Sequence, residues 1–167
     1  MKIEFDLNGQ PTELEVPSST TLLAALRDQL AVFGVKHGCE TGECGACTAL
    51  VDGIPVNTCV MLAAQVDGKD LQTIESVGEY PDHGWRRTGG LDPIQQAFIE
   101  TGAIQCGYCT PGLILAAQSM LAVTPDPSDD EIREGLSGNL CRCTGYTKVF
   151  DAVRDAARTL RDEAGQT

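Results

Sequence analysis

From residue 2 to residue 8, apolar and charged positions alternate. Ile3, Phe5 and Leu7 fall on one side, Lys2, Glu4 and Asp6 on the other. Period two is the mark of a half-buried strand. Asn8–Gly9 follows as a hairpin-turn signal, and Leu14 and Val16 resume the alternation. Leu22, Leu26 and Leu30 then recur every fourth residue, the stripe of a helix. Beyond a Gly-rich stretch, Ala49-Leu50-Val51, the turn signal Asp52–Gly53 and Ile54-Pro55-Val56 predict a second hairpin, with Pro55 placing its second strand at an edge. Leu71 to Ile74 is a further strand that closes the sheet.

Residues 76–92 break all periodicity and are rich in Gly, Pro and charge, which predicts a linker. After it the period becomes helical. Ile94, Ala97 and Phe98 share one face of a first helix that Pro93 opens. Thr110-Pro111 predicts the start of a second, with Thr as N-cap and Pro in the first helical position. Its stripe is Leu113, Ala117 and Leu121. Ser128 with Glu131 makes a capping box for a short third helix carrying Ile132 and Leu136. Tyr146, Val149, Val153, Ala156 and Leu160 line a fourth. The organisation is therefore α+β, with a sheet domain over 1–77, a linker over 78–90 and a small helical bundle over 91–163.

Aromatic residues make up only 5% of the 167, so both cores must be built from aliphatic side chains. Domains this small bury too little surface to be stable without cross-links, and eight cysteines are available to supply them. The N-terminal residues lack the apolar run of a signal peptide, and no stretch is long enough to span a bilayer. The expected setting is the cytoplasm, where clustered cysteines bind metal more often than they form disulfides. A net charge of −12 argues against nucleic acid as a partner.

The cysteines fall into two sets of four. Cys39, Cys44, Cys47 and Cys59 have the spacing C-x4-C-x2-C followed by a distant fourth, the plant-type [2Fe–2S] pattern. Gly38, Gly42 and Gly45 sit among them, letting backbone bend tightly and bring N–H groups close to sulfur. Zinc knuckles are spaced differently. Cys106, Cys109, Cys141 and Cys143 form the second set, a less specific pattern for which zinc remains an alternative. Its helical setting favours a dianionic cluster, because helix N-termini carry partial positive charge.

GCETGECGACT, then QCGYCTPG at 105–112 and GNLCRCTGY at 138–146, resemble the iron–sulfur subunit of the molybdenum hydroxylases, the xanthine oxidase and aerobic carbon monoxide dehydrogenase family. The likeness covers roughly residues 2–160. It implies a β-grasp ferredoxin domain followed by a four-helix domain, each with a [2Fe–2S] cluster. It also implies partners: a large subunit with a molybdopterin-type molybdenum cofactor and a medium subunit with FAD, assembled as a dimer of heterotrimers. Electrons would pass one at a time from the molybdenum centre through both clusters to the flavin, with no substrate chemistry on this chain. By the same resemblance, Gln105 and Cys143 would approach the pterin. Read without it, Gln105 is an ordinary polar residue beside a cluster loop. The chain has no flavin or molybdenum segment after Thr167, as expected of a separate small subunit. The stretch at 78–90 is longer than the family's usual connection; within it Trp85-Arg86-Arg87 is either a partner-binding hook or solvated linker. His37 and His83 are expected at the surface rather than among the ligands. Two readings compete with the relay: a free-standing two-cluster ferredoxin, and a zinc-stapled interaction module.

Overall fold

The computed structural model describes residues 1–78 and 90–165. Strand β1 (Lys2–Leu7) buries Ile3, Phe5 and Leu7, as the alternation predicts. It turns at Asn8 and Gly9, both with positive φ, into the antiparallel β2 (Gln10–Glu15). Strands β3 (Thr48–Val51) and β4 (Ile54–Asn57) form the second hairpin, again through two positive-φ residues, Asp52 and Gly53. β4 is an edge strand, where Pro55 is tolerated. The strand expected over Leu71 to Ile74 is β5 (Asp70–Gln72), which completes the sheet from its centre, parallel to β1 and antiparallel to β3, in the order β2-β1-β5-β3-β4.

The first helix departs from the predicted stripe. Only α1 (Leu22–Ala24) is α-helical; it widens into a π turn over Ala25–Gln29. Leu22, Leu23, Ala25 and Leu26 are buried, while Leu30 is only partly so. The amide of Val32 returns to the carbonyl of Leu26, and Ala31 takes a positive φ. The helix ends there so that the chain can turn into the cysteine loop.

The helical half comprises α2 (Pro93–Glu100), α3 (Thr110–Val123), α4 (Asp129–Gly135) and α5 (Thr147–Ala164). Ile94, Ala97 and Phe98 are buried, as are Ile132 and Leu136, and Ser128 and Glu131 form the expected capping box. The start of α3 is one residue earlier than predicted: Cys109, not Thr110, is the N-cap, and Pro111 follows in the second helical position. Tyr146 is not the first residue of the last helix but its N-cap, in the left-handed region.

α3 also buries more than one stripe. Leu113, Ile114, Leu115, Ala116 and Ala117 are all covered, because the helix lies between the other helices and the back of the sheet. Ser119 Oγ donates to the Gly53 carbonyl at 2.8 Å. Leu50 of β3 belongs to the helical core rather than to that of its own sheet, and every residue of β3 is buried. The two cores, expected to be separate, meet at this strand. The linker, with Trp85, Arg86, Arg87 and His83, lies outside the described residues except at its ends.

Candidate metal centres

The first cysteine loop, residues 38–47, leaves α1 and its π turn and enters β3. Three backbone amides, those of Thr41, Glu43 and Cys44, donate to Cys39 Sγ at 3.4 Å, and the Cys39 amide donates to Cys44 Sγ at 3.4 Å. Such a cradle requires backbone at close range. A Cβ on Gly38 would lie 2.5 Å from Cys44 Sγ. Gly42 and Gly45 both have positive φ, which other residues adopt only with strain. Asn57 Nδ2 holds the Gly42 carbonyl at 2.7 Å, and the exposed Val60 covers Gly42 from outside. Cys47 and Cys59 lie deeper, their thiols in contact with each other. The hydroxyl of Thr58 ties down the Cys47 carbonyl at 2.8 Å.

In the second set, Cys106 Sγ and Cys143 Sγ are 3.6 Å apart and exposed, and Cys109 pairs with Cys141. The Thr144 amide and hydroxyl both reach Cys141 Sγ, at 3.5 and 3.1 Å. Cys109 stands at the N-terminus of α3, so the helix directs its positive end at the set.

In the first set Cys39 and Cys44 are linked by reciprocal amide–sulfur bonds and Cys47 and Cys59 by their thiols; in the second, Cys106 pairs with Cys143 and Cys109 with Cys141. Two thiolates on one tetrahedral metal, each at about 2.3 Å, stand about 3.8 Å apart, so the 3.6 Å sulfur pair has the spacing of two ligands on one metal. Two pairs per set, with backbone N–H groups aimed at sulfur, fit a binuclear iron–sulfide core.

The thiols differ in acidity. Hydrogen bonds from the Thr41 side chain and amide, then from the Cys44 and Glu43 amides, bring Cys39 down to about 6. Burial, reinforced by Cys47, pushes Cys59 up to about 11. Burial and the neighbouring Cys141 push Cys109 up to about 12, outweighing its helix N-terminus. Cys141 is lowered: burial opposes ionisation, but the Thr144 hydroxyl and amide overcome it.

The two loops dock on each other. The Leu140 amide donates to the Cys44 carbonyl at 2.9 Å, and the buried Asn139 Nδ2 donates to Gly45 O and Thr48 Oγ1, both at 3.0 Å. Tyr108 donates to the His37 carbonyl. No side chain fits at Gly45 or Gly112: a Cβ would lie 2.2 Å from Gly138 O or 2.4 Å from Gly45 O, respectively. A cavity of about 420 Å³ lies at this junction, with Cys39 and Cys44 on one wall and Cys106, Cys109 and Cys143 on the other. A second cavity, of about 680 Å³ along α5, is lined by Arg154, Arg158 and Arg161 with their aspartate partners and holds no cysteine.

His37 is exposed and pairs with Glu40 at 3.0 Å, apart from the sulfurs. Gln105 is exposed beside Cys106, on the side of the helical half where Cys143 also reaches the surface. Sequence reasoning missed Asn139, Thr48, Tyr108 and Tyr146, which make the contacts between and within the loops. Asn139, Tyr108 and Tyr146 carried a signal, as members of the QCGYCTPG and GNLCRCTGY motifs, whereas Thr48 becomes recognisable only when the loops are brought together.

Residues 5–73 match a 2Fe-2S iron-sulfur cluster binding domain, and residues 73–154 match a [2Fe-2S] binding domain. The chain is 47% identical over 154 residues to the nicotinate dehydrogenase small FeS subunit of Eubacterium barkeri, covering 92% of this chain and 93% of that one. It is 45% identical over 159 residues to the xanthine dehydrogenase iron-sulfur-binding subunit of Escherichia coli O157:H7, covering 94% of each. Among solved structures, a chain of quinoline 2-oxidoreductase from Pseudomonas putida 86 superposes with a TM-score of 0.88 at 41% identity, over 97% of this chain and 96% of that one. The two fused halves, a ferredoxin-like sheet and a helical part, and the facing cysteine loops thus have one common context: the chain belongs to the family of iron–sulfur small subunits of the molybdenum hydroxylases.

Proposed function

We propose that this chain is the electron-transfer subunit of a molybdenum-dependent hydroxylase. Cys39, Cys44, Cys47 and Cys59 would hold one [2Fe–2S] cluster in a β-grasp domain over 1–77. Cys106, Cys109, Cys141 and Cys143 would hold another in a four-helix bundle over 91–163. The observation that carries the reading is the pairing of the thiols within each set together with the direct docking of one loop on the other. When bound, such clusters accept and release one electron at a time, at potentials set by ligand hydrogen bonds and burial. The chain's own residues hold the ligands, keep Cys47 and Cys59 away from water and fix the distance between the sites.

The partners follow from the family and from which ligands are exposed. Cys106, Cys143 and Gln105 reach the surface of the helical half, so we place the molybdopterin-bearing large subunit there, with Gln105 and Cys143 at the pterin. The FAD-bearing medium subunit would then lie on the side of the first loop, in a cytoplasmic dimer of heterotrimers. Among the described residues no helix is long and apolar enough to cross a membrane.

Metal analysis tests the cofactors. Each four-cysteine set should hold two irons and two sulfides, and the reduced protein should show two distinct [2Fe–2S] signals. Stoichiometric zinc, or a single kind of signal, overturns the reading. The order of the relay is tested by Cys109→Ala in the assembled complex. The helical cluster should be lost, and substrate should no longer reduce the remaining one at a catalytic rate, although dithionite still does. A folded variant reduced normally by substrate would refute the order.

A further inference from the structure

Tyr146 stands out because it occupies a conformation that its side chain makes expensive. Its φ is +67°, in the left-handed region, where a bulky aromatic residue is rare and strained. Glycine immediately before it, Gly145, has the same φ, so the turn is doubly left-handed. The strain has a visible return. This turn swings the Tyr146 ring back over the cysteine motif, where its hydroxyl accepts from the Cys141 amide at 2.7 Å and donates to the Asn139 carbonyl at 3.2 Å. Both capacities of the hydroxyl are therefore used. Its own amide donates to Thr144 Oγ1 at 3.2 Å, and that hydroxyl contacts Cys141 Sγ.

These bonds have two consequences. They fix the backbone on both sides of Leu140, whose amide reaches the Cys44 carbonyl, and they continue through Asn139 to Gly45 and Thr48 of the other loop. They also take the Cys141 amide out of the set of N–H groups free to turn toward a cluster sulfur. Hydrogen bonds to the sulfurs are among the levers that set a cluster's potential.

We propose that Tyr146 is a positioning residue for the helical half's cluster: its hydroxyl clamps Cys141 and Asn139 into one turn, fixing that ligand and keeping its amide off the sulfurs. The inference rests on the assignment of Cys106, Cys109, Cys141 and Cys143 as cluster ligands. It is of the kind seen where partners beyond the ligands orient the ligands themselves.

The test is Tyr146→Phe in the full chain within its native complex, with both clusters followed by redox titration and electron paramagnetic resonance. Phenylalanine keeps the ring and removes only the hydroxyl. The freed Cys141 amide should turn to a sulfur and stabilise the reduced, more negative form. The midpoint potential of the helical half's cluster should therefore rise and its resonance change, while the other cluster keeps both. A rise confined to that cluster upholds the positioning role, and a fall confined to it overturns the proposed action of the hydroxyl on the Cys141 amide. No shift, or an equal shift in both clusters, overturns it. If the variant does not fold, 3-fluorotyrosine at position 146 weakens the hydroxyl as an acceptor without changing its place. It must then shift the same signal alone, and an unmoved signal overturns the proposal. The unaltered protein separates the two failures. Absence of a second [2Fe–2S] signal there defeats the cluster assignment; its presence with no response to the variants defeats only the role of Tyr146.

Discussion

The thiols that would share a single cluster begin from very different acidities, and each difference has a local cause. Cys39 receives three amides and the Thr41 side chain, which hold it at about 6. Cys59 and Cys109 are buried beside another thiol and stand at about 11 and 12. Because only thiolates react with alkylating agents, iron-depleted protein at pH 7 should be labelled first at Cys39, which is above its pKa there. Cys59 and Cys109, far below theirs, should be last. Peptide mapping after a brief iodoacetamide pulse reads the order, and uniform labelling would show that the cradle does not persist without metal. Gly45 gives a second prediction at this scale. Alanine there would meet a strained positive φ and a carbonyl at 2.2 Å that belongs to the opposite loop. The backbone cost alone is about 1–2 kcal/mol, and the clash must also push the loops apart. Gly45→Ala should therefore lower the melting temperature and weaken the magnetic interaction between the two reduced clusters. Unchanged coupling would mean that the contact at Gly45 does not set their separation.

At the scale of elements, the exposed caps and the core stripes act independently of the loops. Ser128→Ala removes the N-cap of α4 and should cost about 1 kcal/mol in thermal unfolding. Both cluster spectra should be unchanged, because the Ser128 side chain bonds to Glu131 within its own capping box. An altered spectrum would tie α4 to the metal sites. This same locality explains what was legible beforehand. Hairpins with Asn-Gly and Asp-Gly turns, the Ile94–Phe98 face and the Ser128 box are decided by neighbours in sequence, and each stands where the pattern put it. The two cysteine sets were legible through spacing, and the structure brings Cys47 to Cys59, Cys106 to Cys143 and Cys109 to Cys141. What the chain could not reveal locally depends on distant partners. The π turn after α1 follows from the return of Val32 to Leu26. The central place of β5 follows from pairing with β1 and β3 on either side. The single stripe read for α3 missed that Ile114, Leu115 and Ala116 are also buried, because the helix meets the sheet as well as the other helices. The Asn139 side chain acquires its role only when two loops some ninety residues apart are in contact, whereas Tyr146 acts within its own turn.

Taken as a whole, the molecule is two cofactor-binding folds that cannot be separated by cutting the linker alone. Leu50 is a sheet residue, 2% exposed, yet it packs into the helical core together with Leu113 and Phe98. Ser119 and Gln118 of α3 bond to Gly53 and Gln72 of the sheet, and the Asn139 network joins the loops at the other end. Apolar contact along one face and polar contact at the metal end fix both distance and orientation, which a relay needs and a pair of tethered domains would not supply. Thermal unfolding should therefore be a single transition. Helix content followed by circular dichroism and the visible absorption of the clusters should be lost together, although the clusters lie in different folds. Leu50→Ala sharpens the test. Truncating a buried leucine costs about 2–5 kcal/mol, and here the cavity would open between the halves rather than within the sheet. If the halves are coupled through this strand, the substitution lowers the transition for both probes equally. If instead the sheet alone bore the loss, the first cluster would bleach at a lower temperature while the helices kept theirs, and the shared core would have no part in holding the two sites at a fixed separation.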